Sequence, residues 1–224
     1  MRRSLFLVVT LVAGALALSA AAAASNGGIS PVEPVSPNGQ RISDAYWLVL
    51  AITGAVFLVV ETLLVVFVIR YRRRGRPRAL EPTQVAGNTR IEVAWTVVPV
   101  VLLAVIVSFV FYKLPGIKDT PPASAAGGEL KYTVEAHQFY WLFKDANGHE
   151  TVNYLVVPVN RVVTLDVVSA DVAHSWWVPA FGGKIDAIPG KTNHTWFKAE
   201  KTGTYPIRCA EFCGIQHTGM KGFV

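Results

Sequence analysis

The apolar positions of this chain fall into long unbroken runs in its first half and short alternating ones in its second. Residues 46–69 form an apolar run of 24 residues whose one charge is Glu61. Residues 92–114 form a second, opening at Glu92 and passing Trp95 and Pro99. Each is long enough to cross a hydrocarbon core as a helix, which takes about 20 apolar residues. Runs of this length with so little charge do not suit buried helices of a soluble core, so the pattern predicts two transmembrane helices. Between them, residues 70–91 carry Arg70, Arg72, Arg73, Arg74, Arg76 and Arg78. The positive-inside rule places that loop in the cytoplasm and both outer ends of the hairpin outside.

The flanks agree with that topology. Residues 1–25 read as an export signal: Arg2 and Arg3, an apolar stretch over 5–18, then small residues over 20–24 with cleavage near Ala24 or Ser25. A first membrane anchor is the other reading of this stretch. Residues 26–45 are predicted to be an exposed lead-in, of which residues 26–40 are Gly/Pro/Ser-rich and predicted irregular. Residues 115–128 are a linker. From 129 the period drops to two: Leu130, Tyr132 and Val134 alternate with polar residues, and residues 145–148 read as a turn. Residues 154–159, 162–169, 192–199 and 203–208 read as further strands. Short strands separated by turns predict one all-β domain over 129–224, a β-sandwich or a Greek-key barrel.

Composition strengthens the membrane reading. The chain is 52% hydrophobic and 16% charged, with a positive mean hydropathy of +0.38. The net charge of +6 lies entirely before Gly116, because residues 116–224 hold ten basic and ten acidic side chains. The arginine cluster directly follows an apolar run, so it sets topology and does not make a nucleic-acid surface.

Sulfur is confined to one segment. Cys209 and Cys213 are the only cysteines, and Met220 is the only methionine besides Met1. They lie in Cys209-x3-Cys213-x3-His217-x2-Met220. Two thiolates, an imidazole and a thioether are a soft donor set that selects copper over magnesium, calcium or manganese. One disulfide would account for the two cysteines but leave His217 and Met220 without a role. A single blue-copper ion needs only one cysteine with two histidines. The second thiolate invites a second, bridged ion and a further ligand from elsewhere in the fold. His174, 35 residues before Cys209, is the best candidate. His149 and His194 read as surface or structural residues, and His137 lies in an aromatic segment.

At this point the chain, from about residue 46 to 224, resembles subunit II of the haem-copper cytochrome c oxidases. The resemblance rests on Cys209-x-Glu211-x-Cys213-x3-His217-x2-Met220, Asp171-x-x-His174-Ser-Trp176, Lys184-Ile-Asp186-Ala-Ile-Pro-Gly190, Glu92-x-x-Trp95-Thr-x-x-Pro99 and Ala136-His137-Gln-Phe139-Tyr-Trp141. It implies a two-helix transmembrane hairpin carrying an all-β cupredoxin-like Greek-key barrel. It implies a binuclear copper centre in which Cys209 and Cys213 bridge two ions. His174 and His217 each bind one ion, Met220 is a weak ligand on one, and the Glu211 carbonyl is a ligand on the other. The Glu211 carboxylate would touch a magnesium ion at the interface with subunit I.

Electrons from cytochrome c would arrive through Phe139, Tyr140 or Trp141, with phenylalanine at 139 where the family usually has tryptophan. Alternation puts 139 and 141 on one face and 140 on the other. Glu92 would sit at the mouth of a proton path. Glu61, an ionisable group within a span, would pair with a neighbouring subunit or serve protons. The implied partners are the haem-bearing subunit I, subunit III, the cytochrome c donor and membrane lipid, with no nucleic acid. Oxygen would be reduced on the partner, coupled to proton pumping, with no catalytic residue on this chain. The implied location is a bacterial plasma membrane, the C-terminal domain on the periplasmic face. A free-standing membrane-anchored cupredoxin that carries or delivers copper is the rival reading. A related quinol oxidase subunit would lack the ligands, and a nitrous oxide reductase would need a second large domain. In the family a final strand follows the methionine. This chain has four residues after Met220, which predicts an incomplete barrel or a fragment.

Overall fold

The computed structural model describes residues 30–72, 84–122 and 130–224. The export signal, residues 73–83 of the arginine-rich loop and most of the second half of the linker lie outside them. Two long helices come first, α1 (Pro37–Tyr71) and α2 (Thr89–Lys113), then the single turn α3 (Pro115–Lys118). Nine strands follow: β1 (Leu130–His137), β2 (Tyr140–Asp145), β3 (Glu150–Val152), β4 (Val163–Ser169), β5 (His174–Trp177), β6 (Lys184–Ala187), β7 (Asn193–Phe197), β8 (Pro206–Cys209) and β9 (Lys221–Phe223). The chain divides into a helical unit, residues 44–115, and a β unit formed by the remaining described residues.

In the helical unit, α1 and α2 are each apolar enough to span a bilayer, and neither window is buried within the chain. Lys113 pairs with Asp44 at 2.7 Å, which joins the last turn of α2 to the N-terminal part of α1. At its other end α2 is capped twice over. The Asn88 side chain accepts from Ile91 N, and the Glu92 carboxylate accepts from Asn88 N at 3.0 Å. These bonds satisfy backbone donors that the first turn leaves without an intrahelical acceptor. Glu61 is exposed on α1, where its neighbours are apolar.

One expectation is corrected at the start of α1. The lead-in over 26–45 is not irregular and exposed throughout: α1 begins at Pro37, and Val35, Ser36, Asn38 and Ser43 are buried. Ser36 is the helix N-cap, its hydroxyl accepting from Gly39 N at 3.0 Å, and Pro37 takes the first helical position. This short amphipathic stretch packs on the β unit. Val35 N donates to Ala180 O, Ser36 Oγ to Phe181 O, and Asn38 Nδ2 to Trp196 O. A Cβ on Gly182, whose φ is +106°, would lie 2.9 Å from Gly39 Cα, so this close approach requires glycine.

The β unit is two sheets, ordered β3-β2-β1-β4-β7 and β6-β5-β8-β9, with β1–β4 the one parallel pair among the named strands. Alternate residues enter the core: Val134 and Ala136 from β1, Trp141 and Phe143 from β2, Val163, Leu165 and Val167 from β4. One strand expectation changes. Residues 154–159 make only a bridge from Tyr154 to Phe223, because Asn153 and Asn160 adopt positive φ and Pro158 has no N–H to donate. Lys221–Phe223, just after Met220, form β9, which pairs with β8.

Candidate metal centre

The sulfur-bearing segment joins β8 to β9 at one end of the sandwich. Cys209 is the last residue of β8, opposite Trp176 of β5, and His174 opens β5. Strand pairing therefore brings His174 beside Cys209 although 35 residues separate them. Cys213 lies in the connecting loop, His217 opens a 3₁₀ turn (His217–Gly219), and Met220 leads into β9. His174, Cys209, Cys213 and Met220 are all buried.

The donor atoms converge. Cys209 Sγ and Cys213 Sγ are 3.8 Å apart and both thiols are free. His174 Nδ1 lies 3.8 Å from Cys209 Sγ, and His217 Nδ1 lies 3.6 Å from Cys213 Sγ. Met220 Sδ is 3.8 Å from Cys213 Sγ, and the Glu211 carbonyl oxygen is 3.1 Å from Cys209 Sγ. Each sulfur of the central pair thus has its own imidazole nitrogen and one further weak donor. The Glu211 carboxylate is turned elsewhere, accepting from Phe212 N at 3.3 Å.

Burial, reinforced by the neighbouring Cys209 sulfur, pushes the Cys213 thiol up to about 11. The thiol is therefore neutral at pH 7, and only a cation that displaces its proton makes it a strong ligand.

A supporting layer surrounds these donors. The Asp171 carboxylate accepts from His174 Nε2 at 2.8 Å through one oxygen and from Gln138 N at 2.6 Å through the other. Burial would raise the Asp171 pKa, but the bonds from His174, Gln138 N and Val172 N outweigh it and hold the carboxyl below its usual range. With Nε2 so engaged, His174 presents Nδ1 to the sulfurs. Gln138 also donates from its side-chain amide to the Cys213 carbonyl. Asp171 is thus a functional candidate that the sequence reading quoted at the head of the His174 motif without giving it a role. Its three-residue spacing before His174 was the available signal.

The aromatic segment divides its residues differently from simple alternation. Gln138 and Phe139 form the turn between β1 and β2, since His137 pairs with Tyr140. Phe139 is half-buried against the core and packs over Gly214, in the same loop as the donors. Tyr140 is exposed and stacks on His137 with centroids 4.6 Å apart. Trp141 is fully buried and meets the His174 ring edge-on, with ring centroids 6.2 Å apart. The remaining histidines lie against carboxylates: His137 by Glu135, His149 by Asp145 and His194 by Asp166.

A two-span membrane protein with a β-sandwich that gathers two thiols, two imidazoles and a thioether is the architecture of a membrane-anchored cupredoxin-like protein. The family described as cytochrome c oxidase subunit II matches in two parts, its transmembrane domain over residues 24–113 and its periplasmic domain over residues 144–224. Cytochrome c oxidase subunit 2 of Cereibacter sphaeroides is 31% identical over 93% of this chain and 82% of its own length. The corresponding protein of Alkalihalophilus pseudofirmus is 35% identical over 86% of this chain, but the match spans only 56% of that longer protein. The crystal structure of the periplasmic domain of cytochrome oxidase subunit II from Bradyrhizobium japonicum is 39% identical, covering 42% of this chain and 80% of that one, with a TM-score of 0.41. The chain belongs to the cytochrome c oxidase subunit II family, as a membrane protein with a periplasmic domain.

Proposed function

We propose that this chain is the electron-input subunit of an aerobic respiratory cytochrome c oxidase in a bacterial plasma membrane. The observation that carries the reading is the paired sulfur core, with Cys209 and Cys213 3.8 Å apart and each flanked by its own histidine nitrogen. The donor chemistry fits two copper ions: Cys209 and Cys213 would hold both as soft thiolates, with His174, His217, Met220 and the Glu211 carbonyl as the further donors. Bound there, a copper pair supplies one-electron uptake and release. The chain's own residues bridge, orient through Asp171 and keep water away by burial. Glu211, with its carboxylate exposed, is the candidate for a magnesium contact at the partner interface.

On this reading electrons come from a cytochrome c and pass to haem in subunit I. Oxygen is reduced to water there with proton pumping, and subunit III completes the assembly. Phe139 and Tyr140 are the surface-side candidates for electron uptake, and buried Trp141 supports His174 from behind. The test is purification of the intact complex: two copper ions per chain together with haem support the reading, and copper without haem supports the free-standing cupredoxin instead.

The charge balance of the outer domain gives a further expectation. With ten basic and ten acidic residues after 115, long-range steering of a donor is weak. Turnover with cytochrome c should fall less than about threefold between low and physiological salt, where a strongly steered pair would lose far more. A steep fall would argue against it.

Glu92 is the proposed point of proton uptake, and it also caps α2. Glu92→Ala should lower proton-coupled turnover, while Glu92→Gln keeps an acceptor for Asn88 N but cannot carry a proton. If both variants turn over normally, the proton role is lost. If only the alanine variant is slow, the capping role is sufficient.

A further inference from the structure

The candidate donors come from two stretches of backbone that meet only in the folded chain. His174 and Cys209 stand on the paired strands β5 and β8. Cys213 and His217 belong to the loop that leads from β8 to β9. Strand pairing fixes the first two, but the loop has less to hold it. Its entry is tied by Ala210 N, which donates to Ser175 O at 2.9 Å, and its exit by Cys209 N, which donates to Met220 O at 3.4 Å. The backbone bonds from His217 N to Gly214 O and from Gly219 N to Gln216 O are internal to it. Internal bonds give a loop its shape but do not set where it lies against the rest of the fold.

Gln138 supplies that reference. It stands in the turn between β1 and β2, on the other sheet from β8. Its side-chain amide donates to the Cys213 carbonyl. Its backbone N–H donates to one Asp171 oxygen at 2.6 Å, while the other Asp171 oxygen accepts from His174 Nε2 at 2.8 Å. One residue thus reaches both parts of the donor set: His174 through a carboxylate, and the Cys213 backbone directly. Water could satisfy the Cys213 carbonyl in many positions of the loop. An amide whose own backbone is held by Asp171 satisfies it in one.

There is no slack at this contact. Gly214 follows Cys213 with φ +134°, where a side chain is strained. A Cβ there would lie 2.9 Å from Gln138 Nε2 and 3.2 Å from two atoms of the Phe139 ring. The β1–β2 turn therefore sits directly on the loop that carries the donors, and only glycine leaves room for it.

Resting on the paired-copper reading, we infer that Gln138 is a positioning residue for the metal centre, holding the Cys213–His217 part of the loop at a set distance from His174 and Cys209. It contributes no donor atom of its own. It fixes the spacing of the donors in advance, so that metal binding has less to order.

The test uses the full-length protein, purified from membranes and loaded with excess copper. Chelator competition reads affinity, and electron paramagnetic resonance reads the oxidised centre. Gln138→Glu is nearly isosteric, but it turns an acceptor oxygen toward the Cys213 carbonyl. Gln138→Met fills the space and neither donates nor repels. Affinity for the second copper should fall about 10-fold in the methionine variant and further in the glutamate variant, within the roughly 10- to 100-fold that loss of an outer-shell partner costs. Both should still take up two ions, with hyperfine splittings from the two nuclei no longer equal. Gly214→Ala disturbs the same contact. Combined with Gln138→Met it should cost less than the two single losses multiplied together, since residues that share a contact do not act independently. Circular dichroism of the copper-free variants should match wild type. Wild-type affinity and spectrum in the glutamate variant overturn the inference. So does an affinity loss that comes with unfolding of the copper-free chain, because Gln138 then serves the β unit as a whole. A single copper ion per wild-type chain would instead remove the paired-copper reading itself.

Discussion

Replacing Cys213 with serine will leave the chain unable to hold a pair of copper ions. Cys213 Sγ is the hub of the donor cluster, within 3.8 Å of Cys209 Sγ, His217 Nδ1 and Met220 Sδ. A serine hydroxyl keeps nearly the same shape, so the fold should persist. It does not ionise near neutral pH, and it offers hard oxygen where a soft bridge is needed. Affinity for the second copper should fall by more than the roughly 10- to 100-fold that loss of an outer-shell partner costs. Copper analysis of the purified variant, with circular dichroism to verify the fold, checks this. Two coppers still bound at wild-type affinity would rule out Cys213 as a bridge.

Asp171→Ala should weaken copper binding by about 10- to 100-fold without touching a candidate ligand. The carboxylate holds His174 through Nε2 and the Gln138–Phe139 turn through the Gln138 N–H. Removing it frees the imidazole to rotate and leaves the Gln138 donor without its acceptor. A chelator competition titration reads the affinity. Asp171→Asn keeps an acceptor oxygen toward His174 and should recover part of the loss. Unchanged affinity in the alanine variant would show that burial alone orients His174.

Much of this architecture was legible because strong periodic signals wrote it. Two apolar runs separated by arginines give a hairpin, and a switch to alternation gives a sheet domain. The donor cluster was legible because sulfur occurs in one segment only and His174 opens a strand-like stretch. Where sequence reading failed, local backbone chemistry prevailed over composition. Ser36-Pro37 is an N-cap and first-turn pair hidden in a Gly/Pro-rich stretch that otherwise reads as coil. Residues 154–159 look β-branched enough for a strand, but two asparagines at positive φ and Pro158 bend them out of the ladder. Alternation put Phe139 and Trp141 on one face, whereas a two-residue turn places Phe139 outside the strand and leaves Trp141 alone in the core. The contact of Asp171 with Gln138 N depends on two loops meeting in space, which no single stretch of sequence displays.

The most direct test of the central claim is the electron paramagnetic resonance spectrum of the copper-loaded, oxidised protein. If Cys209 and Cys213 bridge two ions with His174 and His217 on either side, one unpaired electron is shared, and hyperfine structure from two equivalent copper nuclei will appear. A spectrum from a single copper nucleus would contradict the paired centre and leave the chain a membrane-anchored carrier of one ion.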